Sequence, residues 1–370
     1  MYPSFYHFLL TVLFCTAVAH MGESQGKQPV LTIEPGPGNP RNSEGDFIKL
    51  QDGRVIFIYT HYDGESTSDH ASAYLASRFS KDGGKSWSQK DQLTLENEGE
   101  MNIMSVSLLR LADGRIALFY LRKNSTSDCI PMMRTSDDEA ASWSGPQPVI
   151  SDRPGYYVLN NDRVIQLESG RMLVPVALHK TPDSKWSNGA DIYVYHSDDQ
   201  GKSWQCSRQV PNPEGVVLQE PGVVELADGR LMMLTRTDAG VQYQSYSEDQ
   251  GESWSAAAPT RIVSPLSPAS VERIPGTDDL LLVWNNNLSE DEQTAQLRTP
   301  LNTAVSRDGG KSWEHQQVLE NDPEGWYCYT AITFVGDDVL LAHCAGKRPA
   351  GTGLSVTQIS RLSLDWLYER

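Results

Sequence analysis

An all-β fold, a six-bladed β-propeller, is what this sequence predicts, and two repeats predict it. The first is Ser, any residue, Asp, any residue, Gly or Ala, two more residues, Trp. It occurs five times, at Ser80 to Trp87, Ser136 to Trp143, Ser197 to Trp204, Ser247 to Trp254 and Ser306 to Trp313, with the Trp residues 56, 61, 50 and 59 positions apart. A recurrence at that period marks a repeat architecture in which each unit is one small sheet. The second repeat is a hairpin signal between the boxes: a Leu, a turn such as Asp-Gly-Arg, then an apolar run. Its copies start at Leu50, Leu111, Leu167 and Leu226, with looser forms at Gly276 and Gly336. Six hairpins against five boxes give six blades, the last without a box.

Each element follows from local chemistry. Asp-Gly between apolar runs favours a tight two-strand turn. The continuous apolar run after each turn, as in Leu231-Met232-Met233-Leu234, suits a strand covered on both faces. In the boxes, Ser and Asp side chains bond backbone groups, Gly supplies a positive φ and Trp packs into the blade. A calcium role for these Asp residues is the alternative, but the boxes lack the ligand density of a calcium loop. Leu354 to Leu364 is expected to pair with Pro29 to Ile33, joining both chain ends in one sheet and closing the ring. No helical period of useful length occurs.

Residues 1–19 are read as an export signal. Phe8 to Val18 is mostly apolar and ends in Ala17-Val18-Ala19, a small-x-small cleavage pattern, although Met1 to His7 contains no Lys or Arg. The apolar run is too short to span a bilayer. Residues 20–28 are expected to be disordered and 29–370 to form the propeller. The expectation is a secreted or periplasmic monomer with no stable membrane insertion. The net charge is −17, from 31 Lys+Arg and 48 Asp+Glu, and nothing resembles a basic stripe, so no nucleic-acid partner is expected. Four Cys remain after cleavage: Cys129, Cys206, Cys328 and Cys344. A Cys328–Cys344 bridge between neighbouring strands and buried free thiols are both open.

The residues between the boxes carry a more specific pattern. Glu220-Pro221-Gly222 leads through an apolar strand and Asp228-Gly229-Arg230 to Arg236, and Arg298-Thr299-Pro300-Leu301 precedes the fifth box. Ser68-Asp69-His70-Ala71 precedes the first box, with Asp69 eleven residues before Ser80. Trp326-Tyr327-Cys328-Tyr329-Thr330 precedes the sixth hairpin. With these motifs the chain, over about residues 30 to 369, resembles the sialidase (neuraminidase) family.

That resemblance implies an exo-α-sialidase, a glycoside hydrolase that removes terminal sialic acid from glycans with retention of configuration. It implies three Arg that hold the sugar carboxylate, a group suited to bidentate capture. Arg236 and Arg298 match the second and third. The family's first Arg lies in Arg-Ile-Pro or a close variant, whereas this chain has Pro40-Arg41-Asn42-Ser43-Glu44-Gly45. Either Arg41 fills the role through a shifted loop, or the pocket takes a different sugar. A Tyr nucleophile avoids driving a carboxylate against the substrate's own. Tyr329 matches that Tyr, with Tyr327 as rival, and Glu220 matches the acid that takes its proton. Asp69 matches the acid/base that protonates the leaving oxygen. Asp63 is its alternative, and His70 could orient it. Many sialidases carry an acidic residue late in the last hairpin, where this chain has Ala342-His343-Cys344. Asn160-Asn161-Asp162-Arg163, Asn285-Asn286-Asn287 and Arg134 are further candidates for sugar contact.

No metal or organic cofactor is implied. The partner is a sialylated or other acidic glycan. Two competing functions remain: an exo-glycosidase of the same fold for a uronic or sulfated sugar, and a glycan-binding propeller without catalysis.

Overall fold

The computed structural model describes residues 27–369. The proposed export signal and residues 20–26 lie outside them. The described residues are almost all strand, turn and loop. The two helices, α1 (Glu292–Ala295) and α2 (Leu364–Leu367), have four residues each, and neither is long and apolar enough to cross a membrane.

Strands follow one another as antiparallel meanders. Three are separate four-stranded sheets. The first joins β2 (Asn42–Lys49), β3 (Val55–Tyr62), β4 (Ala73–Ser80) and β5 (Gln92–Leu95). The second joins β15 (Leu218–Glu225), β16 (Leu231–Thr237), β17 (Val241–Ser247) and β18 (Ala258–Val263). The third joins β19 (Ser270–Arg273), β20 (Leu280–Trp284), β21 (Leu301–Ser306) and β22 (Glu314–Glu320).

Two further meanders share one nine-stranded sheet. One runs through β6 (Asn102–Arg110), β7 (Ile116–Ser125), β8 (Asp128–Ser136) and the short β9 (Gln147–Pro148). The other is built on β12 (Met172–Lys180) and β13 (Asp191–Ser197). They are joined where β10 (Tyr156–Val158) lies parallel to β8 at Tyr156 and Cys129. The six expected units therefore form five hydrogen-bonded sheets.

The last sheet has the order β1 (Lys27–Ile33), β25 (Thr357–Ser363), β24 (Asp338–Lys347), β23 (Gly325–Val335). The first and last strands pair as expected. Lys27 and Gln28 already belong to β1, opposite Leu362 and Arg361, so the sheet includes residues ahead of the expected boundary at 29.

Both repeats have one geometry throughout. In the four Asp-Gly-Arg and Ser-Gly-Arg turns, the Leu N–H donates to the Arg carbonyl at 2.8 Å, at Leu50, Leu111, Leu167 and Leu226. Each turn Gly has a φ between 81° and 92°, a region in which glycine carries no Cβ penalty. In the first box, Ser80 Oγ donates to Asp82 Oδ1 and accepts from Gly84 N–H, both at 2.8 Å. Asp82 also accepts from Ser86 N–H at 2.9 Å and Ser86 Oγ at 2.6 Å. The pattern recurs at Asp138, Asp199, Asp249 and Asp308. The carboxylates serve the turn, as the structural reading expects. All four described Cys are free, and Cys129, Cys328 and Cys344 are buried.

A carboxyl cluster, Asp46 buried and Asp162 and Glu272 half-buried, lies where β2, β19 and the loop at Asp162 meet. Asp46 accepts from Leu108 N–H at 2.7 Å, Asp162 accepts from Ile332 N–H at 2.8 Å, and Glu272 stands close enough to feel Asp162. Burial raises all three, Asp162 to about 7, with Arg163 opposing. A carboxyl with a raised folded pKa binds its proton more tightly in the fold. Its contribution to stability is full below the unfolded value of about 4 and is lost as pH climbs through about 7. The melting temperature should fall between pH 5 and pH 8, and Asp162→Asn should flatten that slope, as calorimetry at a series of pH values would show.

Candidate active site

The inner strands do not run straight. β2, β6, β15 and β23 each carry a register shift, and each shift holds a non-glycine residue at positive φ: Glu44 at 56°, Ser105 at 60°, Glu220 at 50° and Tyr329 at 56°. Such a bulge breaks the two-residue alternation of a strand and re-aims one side chain. Left-handed non-glycine residues are costly and collect at functional sites. At Glu44-Gly45 the glycine is required, because a Cβ on Gly45 would lie 2.4 Å from the Phe57 ring and 2.7 Å from the Ile58 carbonyl oxygen.

Two half-sites result. In the first, Arg41 is 1 % exposed. Its Nε donates to Ser43 Oγ at 3.0 Å, Nη1 to Asp69 Oδ1 at 2.5 Å and to the Thr67 carbonyl at 3.2 Å, and Nη2 to Glu44 Oε1 at 2.7 Å. The guanidinium sits 4.5 Å from the centre of the Tyr62 ring, a cation–π contact. Glu44 also accepts a short bond from Ser105 Oγ. Lys123 Nζ donates to the Asp69 carbonyl at 2.7 Å, and Asn102 donates to the carbonyls of Asp69 and Ala71, fixing the loop that carries Asp69. Burial works to raise Asp69, but the Arg41 charge and hydrogen bond outweigh it and hold the carboxyl below its ordinary value.

In the second half-site, Tyr329 Oη donates to Glu220 Oε1 at 3.2 Å, and Arg236 Nη1 donates to Glu220 Oε2 at 2.6 Å. The Arg298 guanidinium lies 5.5 Å from the Tyr329 ring centre and 5.1 Å from that of Trp326. Burial would raise Glu220, but Arg236 and Arg298 keep it low. Burial, then Glu220, push Tyr329 well up, with the two Arg opposing. The stable arrangement is thus a neutral phenol donating to a carboxylate.

Two ring side chains each feel one half. Burial, then Cys129, Asp69 and Glu44, raise the Tyr156 phenol. Tyr156 meets the edge of Trp186 at 5.2 Å, and Trp186 stacks on His179 at 4.8 Å and 6°. His179 feels Glu220 and Arg236. On the other side, Cys328 precedes Tyr329 and feels Arg298, while Cys344, directly opposite on β24, feels Arg41 and Glu44. Asn161 Nδ2 donates to the carbonyls of Gly45 at 2.9 Å and Tyr329 at 3.1 Å, tying the two bulges together.

The six candidate residues thus fall in two clusters, Arg41 with Asp69 and Tyr329 with Glu220, Arg236 and Arg298, and Asn161 ties the bulge beside the first to the bulge of the second. Tyr327 stands apart from both. It is 6 % exposed within the core, because the bulge at Tyr329 sends the two Tyr side chains to different places rather than to one face. Arg134 is no pocket residue: it is held on β8 by Glu98, Tyr120 and the Ser144 carbonyl. Asn285 and Asn287 stitch loops through Pro300, Thr294 and Leu297, and Asn161 serves backbone. Sequence reading missed Glu44, Tyr62, Lys123, His179, Trp186 and Trp326. Glu44 had a signal, an acid and a glycine interrupting a strand three residues after Arg41.

Residues 100–341 match the family described as BNR repeat-like domain. The chain belongs to that family. This BNR-repeat protein is 32 % identical over 212 residues to an anhydrosialidase of Macrobdella decora, and 27 % identical over 236 residues to a sialidase of Clostridium perfringens. The matches cover 54 % and 57 % of the BNR-repeat protein but only 25 % and 59 % of those relatives' lengths. Among solved structures, the intramolecular trans-sialidase of Ruminococcus gnavus, in complex with oseltamivir carboxylate, superposes with a TM-score of 0.72 at 17 % identity. That superposition covers 91 % of this chain and 98 % of the other. The resemblance to sialidases with Asp-box repeats holds.

Proposed function

We propose that the protein is a secreted exo-α-sialidase and that its six meanders are the blades of a six-bladed propeller whose channel mouth is the site. The observation that carries this reading is the hydrogen bond from Tyr329 to a Glu220 carboxylate that Arg236 also holds.

Arg41, Arg236 and Arg298 receive the sugar carboxylate. Two of them are engaged with the protein's own acids, Arg41 with Asp69 and Arg236 with Glu220. An incoming carboxylate competes for those guanidinium groups. Drawing Arg236 and Arg298 away from Glu220 raises its basicity, so it takes the Tyr329 proton as the phenol oxygen attacks the anomeric carbon. Drawing Arg41 from Asp69 raises the Asp69 pKa, so it can carry the proton that the leaving oxygen needs. Asp69 then deprotonates the water that frees the sugar from Tyr329, giving net retention.

The test is hydrolysis of 3′-sialyllactose and of a panel of aryl glycosides of other sugars, with product analysis. Release of sialic acid supports the reading. Release of a uronic or sulfated sugar alone overturns it in favour of the second function, and binding of glycans without any cleavage in favour of the third.

A further inference from the structure

Beside Asp69 lies a cavity of about 250 Å³ lined by His70, Thr126, Tyr156, Lys180 and Trp186. Trp186 is 50 % exposed although one face is stacked on His179. One exposed aromatic is ordinary on a protein surface, but this one lines a cavity next to the loop that carries Asp69. Tyr156 is buried and sets Trp186 edge-on, so the indole is held in place rather than free to fold away.

Lys180, the last residue of β12, lines the cavity and forms no ion pair among the described residues, so its ammonium is open to an anion there.

The cavity also lies on one particular side of the chemistry. His70 adjoins Asp69, the group proposed to protonate the leaving oxygen. The sugar attached through that oxygen must therefore extend past Asp69, toward His70 and Trp186, and away from Tyr329.

We infer, on the sialidase reading above, that this cavity binds the leaving sugar and selects a pyranose bearing an anionic group. Trp186 stacks against the ring face, and Lys180 pairs with the anion. The anion has two sources, a sulfate ester on the penultimate sugar or the carboxylate of a second sialic acid.

The test compares kcat/KM for 3′-sialyllactose, for the same trisaccharide sulfated at galactose O6, and for an α2,8-linked disialyl substrate. At least one anionic substrate should exceed the neutral one by about tenfold, and which one does identifies the source. Lys180→Gln should bring that ratio to about one. Trp186→Ala should raise KM about tenfold for trisaccharides with little change in kcat. Equal kcat/KM for all three substrates, or a preference that survives Lys180→Gln, overturns the inference. If the wild-type protein cleaves no sialoside, the functional reading fails by itself. Calorimetric titration with galactose 6-sulfate then decides this cavity: binding lost in Lys180→Gln supports it, and equal or absent binding in both proteins overturns it.

Discussion

Tyr329→Phe should lower kcat/KM for a sialoside by at least about 10³-fold while leaving the fold intact. The substitution removes one oxygen. That oxygen makes a single hydrogen bond, to Glu220, which keeps Arg236 as a partner at 2.6 Å. No buried charge is stranded, so the melting temperature should stay within about 2–4 °C of the wild type. Kinetics and a thermal melt on the same preparation check both halves. A variant that retains within tenfold of wild-type activity would remove Tyr329 from the nucleophile's role. The same substitution at Tyr327 should behave oppositely. Its ring lies in the core, so Tyr327→Phe should leave activity near wild type.

Arg41→Met should cost both activity and stability. Arg41 and Glu44 have side chains only 2 % and 6 % exposed, and they pair at 2.7 Å. Removing one partner of a buried pair leaves the other without compensation, a loss of about 3–5 kcal/mol. Asp69 adds less, because its side chain is 56 % exposed and water can solvate it. The double variant Arg41→Met, Glu44→Gln separates the two effects. Without the stranded charge it should recover most of the stability, measured by urea unfolding, yet still bind the sugar carboxylate poorly. Activity restored along with stability would show that Arg41 is a structural cation and nothing more.

Much of this was legible in the sequence because the repeats are local. A Ser, an Asp and a glycine within eight residues close their own turn whatever surrounds them, so five boxes and six hairpins could be placed by pattern. Arg236, Glu220 and Arg298 were legible for another reason, the resemblance of their stretches to sialidase motifs. The bulges were not. A register shift depends on how two strands meet, and nothing in Cys328-Tyr329-Thr330 announces that the strand kinks there. Period-two alternation therefore put Tyr327 and Tyr329 on one face, and the kink separates them. The same limit hid Glu44, whose carboxylate matters only once Arg41, Ser105 and Tyr62 are folded around it. Trp186 escaped notice because its partners, His179 and Tyr156, come together only through the pairing of β10 with β12.

The sheet that holds both β1 and β25 has a consequence for biosynthesis. Every box and every hairpin turn has been made by the time residue 340 is added, yet the first strand has no hydrogen-bonding neighbour until Thr357–Ser363 arrives. A ribosome stalled before Thr357 would carry every box and hairpin turn yet leave the sheet open along one seam, with β24 and β1 both exposing unsatisfied backbone to other nascent chains.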